Sequence, residues 1–429
     1  MTNSNISSAR VQEPGQRLYA GVDLALEKNA VVILNQAGQV VDRFQFTQDR
    51  EGYAYFEQRG ERVRQREQAQ EIEVAMEPSN YLWKLLADTC HGRKCRGELE
   101  EKQRVYRLVN AYTVKKHREG NQLDRSKDDW RDAREIGELA RQGQCTQTRL
   151  QQGVYEELRQ YATLYWQVTR AMQREKTIVC GLVGQVFPEF FGVFQKATSQ
   201  AAQAILQSGV AAVEIRQRSL EEFVAGVRAV YPGRRLPVTK LRRLYARAAT
   251  SIGVRQGVPA IQFALRLHLR ILNHLEHQCQ QLRAALQGCL SQVPEAAYLL
   301  SMPTVTSMTA ALFFAEVGDP QRYRTAAQWV KLAGIQPVPN RSGRKQRSRT
   351  PMSHQGRSHL RTLLYYAALQ LINHDPHFVQ LYTHLQRRST NPLTRMQALG
   401  VLMNKLLHVW WALIQQHTLY QPDFSPAKP

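Results

Sequence analysis

The chain has 429 residues, more than one hydrophobic core usually serves, and 43% of them are hydrophobic, an ordinary share for a globular protein. Lysine and arginine number 58 against 36 acidic residues, and the net charge of +22 points to a polyanionic partner such as nucleic acid, although a ribosomal or membrane surface would match the same total. Residues 1–16 lack the apolar core of a secretory leader, charged or kinking residues interrupt the two most apolar windows (Pro303 and Glu316; Lys405 and His408), and the six cysteines form no CxxC pair, which excludes a membrane span and a disulfide framework and fits a reducing, cytoplasmic compartment.

After a disordered lead-in over 1–16, the segment "LYAGVDLALEKNAVVILNQAGQVVDRFQF" reads as three short strands parted by turn residues, followed by a helix near 49–66. "IEVAMEP" predicts a strand stopped by Pro78, "YLWKLLADTC" a helix, "QRVYRLV" a strand, and a charged helical stretch begins near Asp124. This alternation predicts an α/β domain over 17–145. Residues 146–292 read as a helical connector. Within it, a long helix from about Pro259 to Gly288 carries Leu265, Leu272, Cys279 and Leu286 seven apart, with His268, Leu275, Leu282 and Cys289 each three places on. That seam fits either a coiled coil or a long helix buried within one chain. A mainly α region covers 293–417, and 418–429 form a tail. No role is assigned to 181–257. Cys90, His91 and Cys95 lack the second ligand pair that a zinc site needs.

Four carboxylates stand in unusual places. Asp23 lies inside the apolar strand "AGVDLAL", where an isolated charge would cost several kcal/mol to desolvate. Glu77 ends a strand before Pro78, and strand ends are where sites gather in α/β sheets. Asp129 and Asp132 lie three apart on one helix face, where first-turn acids favoured by the helix dipole are the plain alternative. Carboxylates without histidines suit Mg2+ or Mn2+, and paired ions can clamp the attacking and leaving oxygens of phosphoryl transfer.

Between Asp319 and Asp375 there is no acid, while Arg322, Arg324, Lys331, Arg341, Arg344, Lys345, Arg347, Arg349, Arg357 and Arg361 are present, the footprint of a phosphate backbone. Ser342 sits inside this run, and its residues alone read first as a phosphate contact. Arg361 begins an apolar helix, from which it would either reach a phosphate or snorkel.

The set "GVD", "EP" and "RSKDDWRDA", with "AGIQPVPNRSGRKQ" farther on, resembles the Asp-Glu-Asp-Asp transposases of the 110 family of insertion sequences. Asp128 stands where that family has threonine, and the spacing favours Asp129 over Asp128 as the third ligand. Pro303, Thr304, Val305 and Thr306 replace a glycine-bearing turn, and "EVGD" from Glu316 to Asp319 matches the family's form. The resemblance implies a ribonuclease H/RuvC-like N-terminal domain holding Mg2+ or Mn2+ on Asp23, Glu77, Asp129 and Asp132, and a serine domain in which Ser342 forms a phosphoserine link to DNA. It implies donor and target DNA as substrates, a structured noncoding bridge RNA as guide, and homodimers or homotetramers near the nucleoid. A RuvC-like junction nuclease acting without a covalent intermediate, and a non-enzymatic basic nucleic-acid-binding protein, are the alternatives.

Overall fold

The computed structural model describes residues 16–78, 81–95, 104–121, 128–147, 151–207, 211–231, 237–338, 341–342, 345–346 and 350–421. The lead-in and the far end of the tail lie outside these residues. The chain divides into two compact units at Leu150/Gln151.

The first unit is mixed α/β. Strand β1 (Arg17–Asp23) pairs antiparallel with β2 (Lys28–Leu34), which pairs antiparallel with β3 (Val40–Thr47). Helix α1 (Arg50–Arg66) leads to β4 (Glu71–Met76), α2 (Leu82–Cys95) to β5 (Arg104–Leu108), and α3 (Ala111–Asn121) and α4 (Asp129–Arg141) to the two-residue β6 (Thr146–Gln147). The strand order is β3-β2-β1-β4-β5-β6, with β1, β4 and β5 parallel. In β1 and β4 alternate residues face opposite ways. Leu18, Ala20, Val22, Ile72, Val74 and Met76 pack with Phe56 and Val63 of α1 and Leu86 of α2, whereas Ala75 packs with Ile136, Leu139 and Ala140 of α4. The sheet is therefore covered on both faces, which explains why β2 is apolar at every position from Ala30 to Leu34.

Each expected strand and helix of this unit is present, and the structure adds two elements. In α3 the apolar contact comes chiefly from Val114, too little to register as a stripe in the sequence. The charged helix expected from Asp124 begins at Asp129, and residues 122–127 lie outside the described part.

The second unit is helical apart from one short β-ribbon among its described residues. Helix α5 (Val154–Val186) is followed by α6 (Gln200–Gln207), α7 (Ala212–Arg216), α8 (Leu220–Val230), α9 (Val238–Ala249) and the long α10 (Val258–Leu290). Helices α5 and α10 run antiparallel, since Glu175 meets His268 while Glu157 meets Cys289. At 33 residues each, they extend about 50 Å. Leu265, Leu272, Cys279 and Leu286 are buried, and the helix they line packs on α5 of the same chain. One row of the heptad seam is thus covered internally.

A separate core lies toward each end of this pair. One end gathers Val179, Val183 and Val186 of α5 with α6, α7, α8 and α9. The other gathers Leu158 and Ala162 with α11 (Ala296–Leu300), α12 (Ser307–Val317), α13 (Ala326–Ala333), α14 (Ser358–His374), α15 (Pro376–Arg387) and α16 (Arg395–Gln416). Its centre is Phe313, whose ring meets Trp329 and Trp410 edge-on at centroid distances of 5.2 and 4.9 Å. Among the described residues no helix is long and apolar enough to cross a membrane.

Candidate functional site

In the first unit the carboxylates converge through strand register. Val22 of β1 lies opposite Met76 of β4, so the next residues, Asp23 and Glu77, leave the carboxyl ends of adjacent parallel strands side by side. Both strands present odd-numbered residues to the α4 face: Gly21 touches α4, and Ala75 packs on Ile136 and Ala140. The alternation places the backbone positions of Asp23 and Glu77 on that same face.

Helix α4 runs antiparallel to β1, since Arg141 acts on Tyr19 while Gly137 and Ala133 lie against Gly21. Its first turn, with Asp129 and Asp132, therefore lies toward the end of β1 that carries Asp23. Asp132 is 8% exposed and Asp129 is exposed. Asp128 is the N-cap: it is extended at φ −145° and its Oδ1 accepts the Trp130 N–H at 3.4 Å. That capping role distinguishes Asp128 from Asp129, which stands within the helix.

The donor chemistry of this corner is all carboxylate, which fits a hard divalent cation. As the side chains stand, no group of three carboxylate, histidine or cysteine residues among the described ones is close enough to hold an ion. The backbone nonetheless converges here, and every donor it brings is a carboxylate. Below this corner Glu73, 5% exposed, accepts the Cys145 S–H at 3.1 Å and lies 3.3 Å from Arg107. Burial, then the hydrogen bond to Glu73, pushes the Cys145 thiol up to about 12.

In the second unit Ser342 belongs to a β-ribbon. Short strands β7 (Arg341–Ser342) and β8 (Lys345–Gln346) pair antiparallel, with Ser342 opposite Lys345. Toward the base, Pro337 bridges Met352, Val338 N–H donates to Pro351, and Ser353 N–H donates to Gln336. The basic run is thus a hairpin, which its residue pattern does not announce, with Ser342 in one of its two short paired strands. The side chains of Arg341, Ser342 and Lys345 lie outside the described part, as do Arg344, Arg347 and Arg349 altogether.

Two arginines assigned to phosphate are engaged internally. Arg357, the N-cap residue of α14, donates to the Glu316 carbonyl, and its Nη1 lies 3.8 Å from the Glu316 carboxylate. Arg361 donates to the Ala333 carbonyl at 2.9 Å, at the end of α13. Glu316 itself is 8% exposed and also lies 3.9 Å from Arg159 and 3.6 Å from His359, whose ring stacks on Trp166 at 4.8 Å. Sequence reading missed Arg159, His359 and Trp166, because the partners of Glu316 come from α5 and α14, far away in the chain. Thr306, in the turn that lacks the family's glycines, caps α12 by accepting the Thr309 N–H at 3.2 Å.

Comparison with known proteins bears on both units. A family profile described as a DEDD transposase of the IS110 type matches residues 20–188, and one described as "Transposase IS116/IS110/IS902 family" matches residues 296–383. Among relatives, the insertion element IS110 uncharacterized 43.6 kDa protein of Streptomyces coelicolor is 28% identical over 151 residues, 35% of this chain and 36% of the relative. The insertion element IS900 uncharacterized 42 kDa protein of Mycobacterium paratuberculosis is 28% identical over 174 residues, 40% of this chain and 43% of the relative. The insertion element IS116 uncharacterized 44.8 kDa protein of Streptomyces clavuligerus is 34% identical over 131 residues, 30% of each chain. The chain therefore spans less than half the length of each of these relatives. The two profiles, matched in order along one chain and covering both the carboxylate corner and the basic hairpin, make each unit of this chain similar to DEDD transposases of the IS110 family.

Proposed function

We propose that this protein is a DNA transposase that cuts and rejoins strands by phosphoryl transfer. The observation that carries the reading is the pairing of Val22 with Met76, which sets Asp23 and Glu77 side by side under the helix bearing Asp129 and Asp132. In this reading residues 17–145 are a ribonuclease H/RuvC-like domain, 146–292 a connector through which subunits pair, and 293–417 a serine domain. Asp23, Glu77, Asp129 and Asp132 would hold Mg2+ or Mn2+, which supplies Lewis-acid polarisation of the reacting phosphate.

Ser342 is the nucleophile. Its Oγ loses a proton as it bonds to phosphorus, the bond from phosphorus to the departing deoxyribose oxygen breaks, and that oxygen takes up a proton. The resulting phosphoserine diester keeps the energy of the broken linkage, and rejoining reverses the exchange. Arg341, Arg344 and Lys345 offset the charge that develops on the phosphoryl oxygens, a role for which preorganised cations are effective. Sequence choice falls to a bridge RNA encoded by the element, which leaves the protein to bind backbone and shape.

A trapping assay tests this. Protein, flanking-element RNA, Mg2+ and labelled donor and target duplexes are mixed, denatured and resolved. Protein-linked DNA that disappears in Ser342→Ala and in Asp23→Ala is the expected result. Cleavage without an adduct, undiminished in Ser342→Ala, would replace the serine chemistry with metal-dependent hydrolysis by a junction nuclease.

A further inference from the structure

A second acid-free stretch lies between Glu222 and Glu276, and it holds ten lysines and arginines. It is distinct from the serine hairpin in sequence, and in space it belongs to the other end of the α5–α10 pair. Its most basic described element is α9, "VTKLRRLYARAA".

The inner face of α9 needs none of its charges. Leu241, Leu244 and Ala248 are each 0% exposed and anchor the helix in the core formed with α6, α7 and α8. Lys240, Arg242, Arg243 and Arg247 are all exposed. Lys240, Arg243 and Arg247, spaced three and four apart, share one side of the helix, an arrangement in which like charges repel. The first turn of α9 contains no acid, and Pro237 at its N-cap offers no side-chain cap. Cations at a helix N-terminus oppose the macrodipole. The neighbouring helix α8 follows the usual rule, with a Ser219–Glu222 capping box and Glu221 and Glu222 in its first turn. The acid whose ionisation Arg247 influences, Glu189, already accepts from Ser251 Oγ at 2.6 Å and from the Ile252 N–H at 3.0 Å. Lys240 extends over the Phe194 ring at 5.8 Å.

A helix whose packing is complete, whose outer charges repel one another, and whose first-turn Lys240 opposes its dipole, is suited to an external polyanion. We propose that the outer face of α9, through Lys240, Arg242, Arg243 and Arg247, is a second nucleic-acid-binding surface that engages a phosphate backbone. The residues interspersed on that face, Thr239 and Ala246, are small, so it lacks the apolar side chains with which an amphipathic helix enters a lipid surface. Phosphodiesters of DNA and of RNA present the same chemistry to it. The binding needs neither Ser342 nor the carboxylates, so it stands apart from the strand-exchange chemistry.

The test uses the full chain and two variants, Arg243→Gln/Arg247→Gln and the quadruple replacement that adds Lys240→Gln and Arg242→Gln. Binding of labelled DNA and RNA duplexes is followed by anisotropy across a salt titration. Every cation that no longer meets a phosphate should lower the slope of log affinity against log salt by about 0.9, so the quadruple variant should lose about three and a half units. A lower slope with one polymer alone identifies that polymer as the ligand, and a lower slope with both identifies a shared groove. Arg243→Lys/Arg247→Lys, which keeps charge and helix, should restore the slope and so separates binding from folding. Slopes unchanged for both polymers, or an effect seen only with anionic vesicles, would overturn the proposal. The Ser342→Ala chain should keep the full slope, so failure here and failure of the trapping assay are distinguishable.

Discussion

Gly21 of β1 and Gly137 of α4 meet backbone to backbone: a methyl group on Gly21 would stand 2.3 Å from the Gly137 nitrogen and 1.9 Å from the Ala133 carbonyl oxygen. This close approach lets α4 lie directly on the sheet, and so brings Asp132 toward the end of β1.

Gly21→Ala should therefore destabilise the first unit by about 1–3 kcal/mol, the usual cost of overpacking, and more if α4 must lift away. Gly181, inside α5, has nothing within 4 Å of its Cβ position. Gly181→Ala should stabilise the second unit by roughly 0.5–1 kcal/mol, because alanine loses less backbone freedom in a helix. Urea unfolding of both variants checks the pair, and equal shifts would contradict the packing described here.

The two neighbouring aspartates at the head of α4 should separate cleanly. Asp128→Ala removes the N-cap and should cost about 1 kcal/mol while leaving DNA cleavage in place. Asp129→Ala should leave the melting temperature nearly unchanged and abolish cleavage. Melting curves beside the trapping assay decide this. The reverse pattern would make Asp128 the functional residue.

Much of the first unit was legible because its signals are local. Apolar runs parted by turn residues marked β1, Pro78 stopped β4, and the odd placement of Asp23 and Glu77 was visible in the sequence itself. What brings them together is the parallel register of β1 with β4, a pairing across 54 residues of sequence, from Asp23 to Glu77, that no local pattern encodes. The same holds for Glu316, whose partners Arg159 and Arg357 come from distant helices. The heptad seam of α10 was legible, but periodicity alone could not say that α5 of the same chain covers one of its rows. In the basic run, charge dominated the reading and hid the hairpin.

Cys145 should be a poor nucleophile in the folded protein. Its thiol is pushed up to about 12 by burial and by Glu73. At pH 8 the thiolate fraction falls by about three orders of magnitude, partly offset by the greater intrinsic reactivity of a more basic thiolate, which leaves alkylation roughly 30-fold slower than in the unfolded chain. Mass spectrometry of timed alkylation, with and without urea, reads this directly. Glu73→Gln removes the carboxylate charge and should speed the folded-state reaction.

Glu316 should prove to be the electrostatic keystone of the helical end of the chain. It is 8% exposed and its carboxylate faces two guanidiniums, of which Arg357 is held below the usual arginine range first by burial and then by the charge of Arg159. Removing the acid leaves two positive groups without compensation, a change that costs about 3–5 kcal/mol at a buried pair. Because Arg159 and Arg357 keep 33% and 30% of their side-chain surface in water, Glu316→Ala should fall at the lower end, about 3 kcal/mol. Replacing one arginine together with the acid, Glu316→Met with Arg357→Met, removes one of the two stranded charges and should recover part of that stability. A double-mutant cycle by urea unfolding measures the difference. If the two destabilisations simply add, Glu316 is not compensating Arg357, and the arginine is available to a phosphate instead.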